Sequence, residues 1–387
     1  MSNKRISIFV NASPLSNKYY PLLEKLGDDL CCFYGTSIGR KQTIPSDLKC
    51  KVNTPGIGLK LFNRLLSHFL KLFRLPLYYE YWINVRILDA LYSRKVASDD
   101  SSIVYINPLF RKTAERVKAT GKTLVVEAAN SDPVREHERI KVEYAKFGIK
   151  HQYIYGNPMY RDTCISSLKY ADKIVTISEV SRQTYINAGY PLEKFELIPL
   201  TGTDFPIQQY QTIEGREKAF ITTSFHSFIK GTHRLLLSWK KANIQDIPLY
   251  VIGTICEDMK EFIEKYGPFD NVIYVGHQSN LPEWYSARDA VGALLSLSEG
   301  AVRVTPEMMS FGFPMIVSPD ATCDLIKEGI NGFVIETEDV DSVASRLKWF
   351  ADDWNRVHDM RKNVLDTVRS RTTRDWSIDV ANYLLSL

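Results

Sequence analysis

The chain has 387 residues, 44% of them apolar and 24% charged, which excludes a disordered or low-complexity protein and allows two cores of ordinary domain size. No run of 18 apolar residues suggests a membrane span, and six scattered cysteines without a CxxC or a His/Cys cluster point to thiols in a reducing compartment and exclude a zinc module. The net charge of +4 hides an asymmetry: residues 1–200 sum to +11 and residues 201–387 to −7, so the first half favours anionic surfaces such as phosphate groups or acidic lipid.

In chain order, MSNKRISIFVN leads straight into a strand and resembles no signal peptide. Short β-branched and aromatic runs then alternate with helical segments, the pattern of parallel α/β architecture. Strands are expected at Ile6–Asn11, Ser102–Ile106, Thr123–Glu127, Lys173–Ile177 and Phe195–Pro199 in the first half. In the second half they are expected at Lys218–Thr223, Leu249–Gly253, Val272–Val275, Ala290–Leu295, Pro314–Val317 and Gly332–Ile335. Between the first two expected strands, residues 58–77 set Lys60, Asn63, Arg64, Ser67, His68, Lys71 and Arg74 on one helical stripe, the rest being almost wholly Leu and Phe. Such a helix either lies in an anionic membrane interface or packs on its own domain with a solvated basic edge. Turn residues and loss of period at 199–215 mark a linker.

Each half thus reads as a doubly wound sheet: residues 1–200 form a first domain, 201–370 a second, and 371–387 a helix that crosses back to the first. Ligands of open α/β sheets sit at the carboxyl ends of strands, so two such domains facing each other bind substrates in the cleft between them.

The most informative stretch is SLSEGAVRVTPEMMSFGFPMIVSPDATCDLIKEGINGFVIE, residues 296–336. Glu299 is placed at a strand end and Glu307 in the helix that follows. The intervening Gly300, Ala301 and Val302 turn presents free backbone N–H groups suited to a diphosphate. Lys230, inside IKG between a strand and a helix, is a further candidate, although a lone lysine is more often a surface residue. Asp339 and Asp341, the one Asp-x-Asp, fall where an acidic first helical turn is expected and read as capping rather than metal binding.

This stretch resembles the donor-binding signature of the retaining family 4 glycosyltransferases, which have the GT-B fold. Similar landmarks are YADKIVTISEVSRQTYINAGY (170–190), ELIPLTGTDF (196–205), FIKGTHRLLLSWKKA (228–242), LYVIGT (249–254), VIYVGHQSNLPEWYSARDAV (272–291) and RDWSIDVANYLLSL (374–387). The resemblance implies that Lys230, with Gly231, binds the donor diphosphate and stabilises the departing nucleoside diphosphate. Glu307 would bind the ribose, Glu299 the transferred sugar, and the region from Gly276 to Leu281 would flank the base. It implies a nucleoside-diphosphate sugar as donor substrate, with no metal and no separate cofactor. The acceptor would be a glycan or lipid-linked glycan of the bacterial cell-surface polysaccharide type, including lipopolysaccharide, met at the cytoplasmic face of the membrane. Nucleic acid is not an expected partner, and a catalytically silent GT-B partner protein is the rival reading.

The pattern departs from the family in two places. Phe225 stands where an Arg is common, and Arg303 is the residue available to replace that charge. The first domain has NASPLSNKYY (11–20) in place of a Gly-rich loop, and VVEAANSDPVREHERIKVEYAKFG (125–148) where many relatives show a His. Glu127, Asn130, Ser131 and Asp132 are the acceptor-side candidates, Asp132 being the catalytic choice. His226 reads as structural rather than catalytic.

Overall fold

The computed structural model describes residues 4–36, 43–73, 78–151, 156–209, 215–368 and 372–387. All the expected strands form. The first sheet contains β1 (Ile6–Phe9), β2 (Leu30–Tyr34), β3 (Val52–Asn53), β4 (Ile103–Ile106), β5 (Thr123–Ala128), β6 (Lys173–Thr176) and β7 (Phe195–Leu197), in the order β3-β2-β1-β4-β5-β6-β7. The second contains β8 (Glu217–Thr223), β9 (Leu249–Ile252), β10 (Val272–Gly276), β11 (Arg288–Leu294), β12 (Met315–Val317) and β13 (Gly332–Val334), in the order β10-β9-β8-β11-β12-β13. Every pairing is parallel. Helices cover both faces of a parallel sheet, which is why strands such as IVYI in β4 are apolar at consecutive positions and buried throughout. The sequence reading missed β2 and β3. LCCFY is a short apolar run without alternation, and two residues carry no period at all.

The order of each sheet reverses once, between β1 and β4 and between β8 and β11. Loops leaving the two strands at such a reversal run to opposite faces and leave a crevice at their carboxyl ends. In the first domain that crevice is bordered by Asn11 after β1, Asn107 after β4 and Ala129–Ser131 after β5; in the second by the loops leading to Lys230 and Glu299.

Two helices tie the domains together. The last, Thr373–Ser386, opens with a capping box between Thr372 and Asp375 and buries Trp376, Val380, Ala381 and Leu384 against the first sheet's core. Trp376 donates its indole N–H to the Ile198 carbonyl at 2.8 Å, so the expected return to the first domain is present. The other, Pro133–Phe147, lies within the first 200 residues yet lends Ile140, Tyr144 and Phe147 to the second domain's apolar core. Tyr144 stacks on Phe228, with ring centroids 5.2 Å apart.

Helix Ile57–Leu72 forms as expected, packing Leu59 and Leu70 on the first domain while much of its apolar surface stays uncovered. Ser67 hydrogen-bonds Glu80 of the neighbouring helix, while Leu61, Phe62, Leu65, Phe69, Leu72 and Phe73 are exposed, Leu65 by 71%. Arg64 and His68 are also exposed; Arg74 and the side chains of Lys60 and Lys71 lie outside the described residues. Asp339 caps helix Val340–Asp352 by accepting the Ser342 N–H, the capping role its position suggested.

Candidate active site

The loop that follows β8 ends in a tight turn, Phe228–Lys230, and Gly231 closes it at φ 65°. A Cβ at Gly231 would stand 1.7 Å from the Leu295 carbonyl oxygen, so only glycine lets this turn press against the end of β11. The Ile229 carbonyl accepts the Leu297 N–H at 2.8 Å and fixes the two loops to each other. In consequence the Lys230 ammonium meets the Glu299 carboxylate in an ion pair, and Ser296 Oγ donates to the same oxygen at 3.1 Å. Glu299 stands in the loop beyond β11 rather than at the strand end itself.

After Glu299 the chain passes through Gly300, Ala301 and Val302, whose amide hydrogens meet no acceptor among the described residues. Gly300 has to be glycine, since a Cβ there would lie 1.8 Å from the Ala129 carbonyl oxygen of the first domain. Its own carbonyl accepts a hydrogen bond from Ser178. Helix Val304–Met309 carries Glu307, whose carboxyl burial raises to about 7 against the lowering pull of Arg303. Arg303 is half exposed, 3.5 Å from Asp204 and 4.0 Å from Glu307. The pair with Asp204 is partly exposed, and exposed pairs contribute only about 0.2–1 kcal/mol, so Arg303 can leave Asp204 for another anion at small cost. Phe225 is exposed by 49%. Gly276 and Leu281 stand at the carboxyl end of the edge strand β10, two strands away from β8.

His226 is buried; its Nε2–H donates to the Ile252 carbonyl at 3.0 Å and Nδ1 accepts from Thr232 Oγ at 2.8 Å. Burial lowers its pKa to about 4, so it is a neutral bracket for the loop, as its sequence context suggested.

On the first-domain side stands Asp132, the expected catalytic residue. Its Oδ1 accepts the amide hydrogens of Val134 and Arg135 at 3.0 and 2.9 Å, making it the N-cap of helix Pro133–Phe147. The carboxyl that faces the crevice is one turn on, Glu136, which is 1% exposed and accepts from Ser298 Oγ at 3.2 Å. Burial, opposed by the Ser298 bond and aided by Glu299, raises its pKa to about 8, with Lys230 lowering it and Asp320 raising it. Glu127 is also buried, ion-paired to Lys18 and accepting from Tyr19 and Tyr105 hydroxyls at 2.8 and 2.7 Å. Asn130 donates to Tyr160 Oη at 3.3 Å, and Ser131 Oγ donates to the Glu299 carbonyl at 2.8 Å. Helix Pro133–Phe147 also reaches behind Lys230. Glu143 accepts from Arg234 and pairs with His233 at 2.9 Å, while Tyr144 donates to Asp258 at 3.1 Å, and Asp258 takes the Phe228 N–H at 2.9 Å. Sequence reasoning missed Glu136, Glu143 and Tyr144. The signal was a pair of carboxylates on the buried stripe Glu136–Ile140–Glu143–Tyr144–Phe147 of an amphipathic helix.

Among the described residues one trio, Cys31, Cys32 and Asp99, has the proximity to share a metal. It lies away from this site, and Asp99 already binds Lys122 at 2.8 Å and Ser7 at 2.7 Å.

Comparison with known proteins bears on the second domain first: residues 207–366 match the family model described as glycosyl transferases group 1. This segment is similar to the glycosyl transferases group 1. A curated relative, the lipopolysaccharide core biosynthesis mannosyltransferase LpsB of Rhizobium meliloti (strain 1021), is 28% identical over 125 residues, covering 32% of this chain and 34% of that protein. The chain thus matches about a third of that relative's length. Among solved structures, Anabaena Alr3699/HepE in complex with UDP aligns over 99% of this chain and 100% of that one, at 16% identity and a TM-score of 0.63. The lipopolysaccharide outer core galactosyltransferase WaaB, in its apo form, aligns over 99% and 100% at 16% identity and a TM-score of 0.58. These likenesses establish the GT-B fold: two Rossmann-like domains face each other, and the group 1 domain carries Lys230, Glu299 and Glu307 on its side of the cleft.

Proposed function

We propose that the chain is a retaining, metal-independent glycosyltransferase that moves a hexose-type sugar from a nucleoside diphosphate to a hydroxyl of a glycan or lipid-linked glycan. The observation that carries this reading is the Lys230–Glu299 pair beside the unbonded amides of Gly300–Val302, where the crevices of both sheets meet. In the proposal the diphosphate takes the place of Glu299 as partner of Lys230 and of the loop amides, which are already aimed and need no reorganisation as charge develops on the leaving group. Glu299, released from the ion pair, turns its carboxylate to hydroxyls of the transferred sugar. Glu307 accepts the ribose hydroxyls, residues 276–281 flank the base, and Arg303 adds the charge absent at Phe225. Likeness to a lipopolysaccharide mannosyltransferase over part of its length supports a cell-surface glycan as acceptor.

The exposed apolar face of helix Ile57–Leu72, flanked by Arg64 and His68 on a domain of net positive charge, favours docking on an anionic membrane surface. No helix among the described residues is long and apolar enough to cross a membrane. Peripheral attachment at the cytoplasmic face would bring a lipid-linked acceptor to the first domain. A flotation assay with anionic vesicles tests it: Arg64→Glu with Leu65→Ser should leave the protein unbound, and binding unchanged from wild type would refute the docking.

The transferase reading is tested by a thermal-shift panel of UDP, GDP, ADP and dTDP with their sugars, since a ligand bound only by the native state raises its stability. One nucleotide family should raise Tm, and its sugar should be hydrolysed slowly to free nucleoside diphosphate. Binding without any turnover would select the catalytically silent rival, and binding of none would end the transferase reading and leave that rival only as a glycan binder.

A further inference from the structure

The first domain holds a cavity of about 310 Å³ at the carboxyl ends of β1, β4 and β5. Its wall towards the second domain is made by Asn130, Ser131 and Glu136, the residues whose loop and helix touch Ser298, Glu299 and Gly300. The cavity therefore opens beside the place where the donor sugar would sit.

We propose that this cavity binds a single uncharged sugar ring of the acceptor, with Glu136 holding one of its hydroxyls at the boundary with the donor loop. The inference rests on the transferase reading for the word acceptor, but the chemistry of the cavity is independent of it. A volume at the small end of ligand pockets, roughly 300–1,000 Å³, accommodates one ring rather than an extended chain. The lining offers amides (Asn11, Asn107, Asn130), phenols (Tyr81, Tyr160) and a carboxyl (Glu136), each able to donate or accept as a sugar hydroxyl requires. Glu136 Oε2 takes the Ser298 hydroxyl, and its second oxygen has no hydrogen bond among the described residues, although the side chain is almost wholly buried. That oxygen can meet a ligand hydroxyl, and the cavity is where one would come from.

Charge narrows the class. Among the described residues Lys18 is the one cation in the lining, and its ammonium is held by the buried carboxylate of Glu127 and stands over the Trp376 ring. A phosphate or carboxylate on the acceptor ring would enter without a counter-ion, next to two carboxyl groups. With burial raising Glu136 to about 8, its carboxyl is a neutral donor near pH 7. The charged and titratable groups that act on it are Glu299, Lys230 and Asp320 from the second domain, and Arg135, Cys164 and Tyr185 from the first.

The test is saturation-transfer NMR and titration on the full-length protein, with and without a nucleoside diphosphate. The probes are the methyl glycosides of glucose, galactose and mannose, compared with the 6-phosphates and uronic acids of the same rings. At least one neutral glycoside should bind, with its charged counterparts weaker by tenfold or more. Affinity for it should change several-fold between pH 7 and 9, as Glu136 ionises, in the wild type and stay flat in Glu136→Gln, which keeps the shape and a donor. Charged rings binding as well as neutral ones, no neutral ring binding, or the same pH profile in both proteins would each overturn the proposal. Nucleotide binding is read separately: its loss with sugar binding intact removes the transferase reading and leaves the neutral-sugar site standing.

Discussion

The loop from Ser296 to Glu307 and the stretch from Ala129 to Glu143 face each other across the cleft, and they are built on opposite principles. The first is contiguous: one stretch of chain supplies a carboxylate, three amides without an acceptor among the described residues and a second carboxylate, and Lys230 from the preceding loop completes it. The second borders a cavity whose groups come from the ends of β1, β4 and β5 and from four helices, and its polar atoms are largely satisfied by one another. A contiguous charged loop suits a ligand that is the same in every turnover, a diphosphate. A mosaic of amides, phenols and one neutral carboxyl suits a ligand defined by the placement of hydroxyls.

The sharpest way to break this contrast is to remove the charge on which the first region depends. Lys230→Ala should lower turnover by about 10²–10³-fold, the usual effect of losing one preorganised electrostatic group, with little change in Tm. A loss below tenfold in steady-state kinetics would shift the burden to Arg303.

The next prediction joins the two regions. Glu143 reaches from helix Pro133–Phe147 to Arg234 and His233, directly after the Lys230 turn. Burial opposes its charge, yet the bonds from His233 and Arg234 prevail and hold its pKa at about 2. Because the folded pKa is depressed, the stabilisation is present above about pH 4.5 and lost as pH falls towards 2. Glu143→Ala leaves a buried guanidinium unpaired and should cost about 3–5 kcal/mol in urea unfolding at pH 7. The difference from wild type should shrink on acidification; a constant difference between pH 7 and 3 would contradict the assignment.

Gly231→Ala probes geometry without charge. The added Cβ collides with the Leu295 carbonyl and the backbone is left-handed, so a loss of about 1–3 kcal/mol is expected, with donor KM rising as Lys230 is displaced. Unaltered stability would mean that the two loops are not pressed together. The smallest effect concerns Glu307, raised to about 7 by burial. A carboxylate accepts ribose hydroxyls better than a neutral acid does, so nucleotide affinity should increase several-fold from pH 6 to 8 and lose that dependence in Glu307→Gln.

The contrast also explains what could be read in advance. The strands were legible because parallel strands buried on both faces are unbroken apolar runs, and the loop from Ser296 to Glu307 stood out because its polar residues are neighbours in sequence. β3, two residues long, had no such mark. Asp132 and Glu136 illustrate the other limit: both are acids at the start of one helix, and only the turn of that helix decides that the first bonds its own backbone while the second faces Ser298 and the cavity. The exposed face of helix Ile57–Leu72 was half legible, since the stripe was visible but not which side would be covered.

The central claim is that an ammonium and backbone amides grip a pyrophosphate without a metal. Isothermal titration of UDP and GDP into wild type and Lys230→Ala, in EDTA, addresses it directly. Binding of one nucleotide by the wild type, weakened at least tenfold by the substitution and unchanged when magnesium is added, is the predicted result; binding that requires magnesium, or is equal in the two proteins, contradicts it.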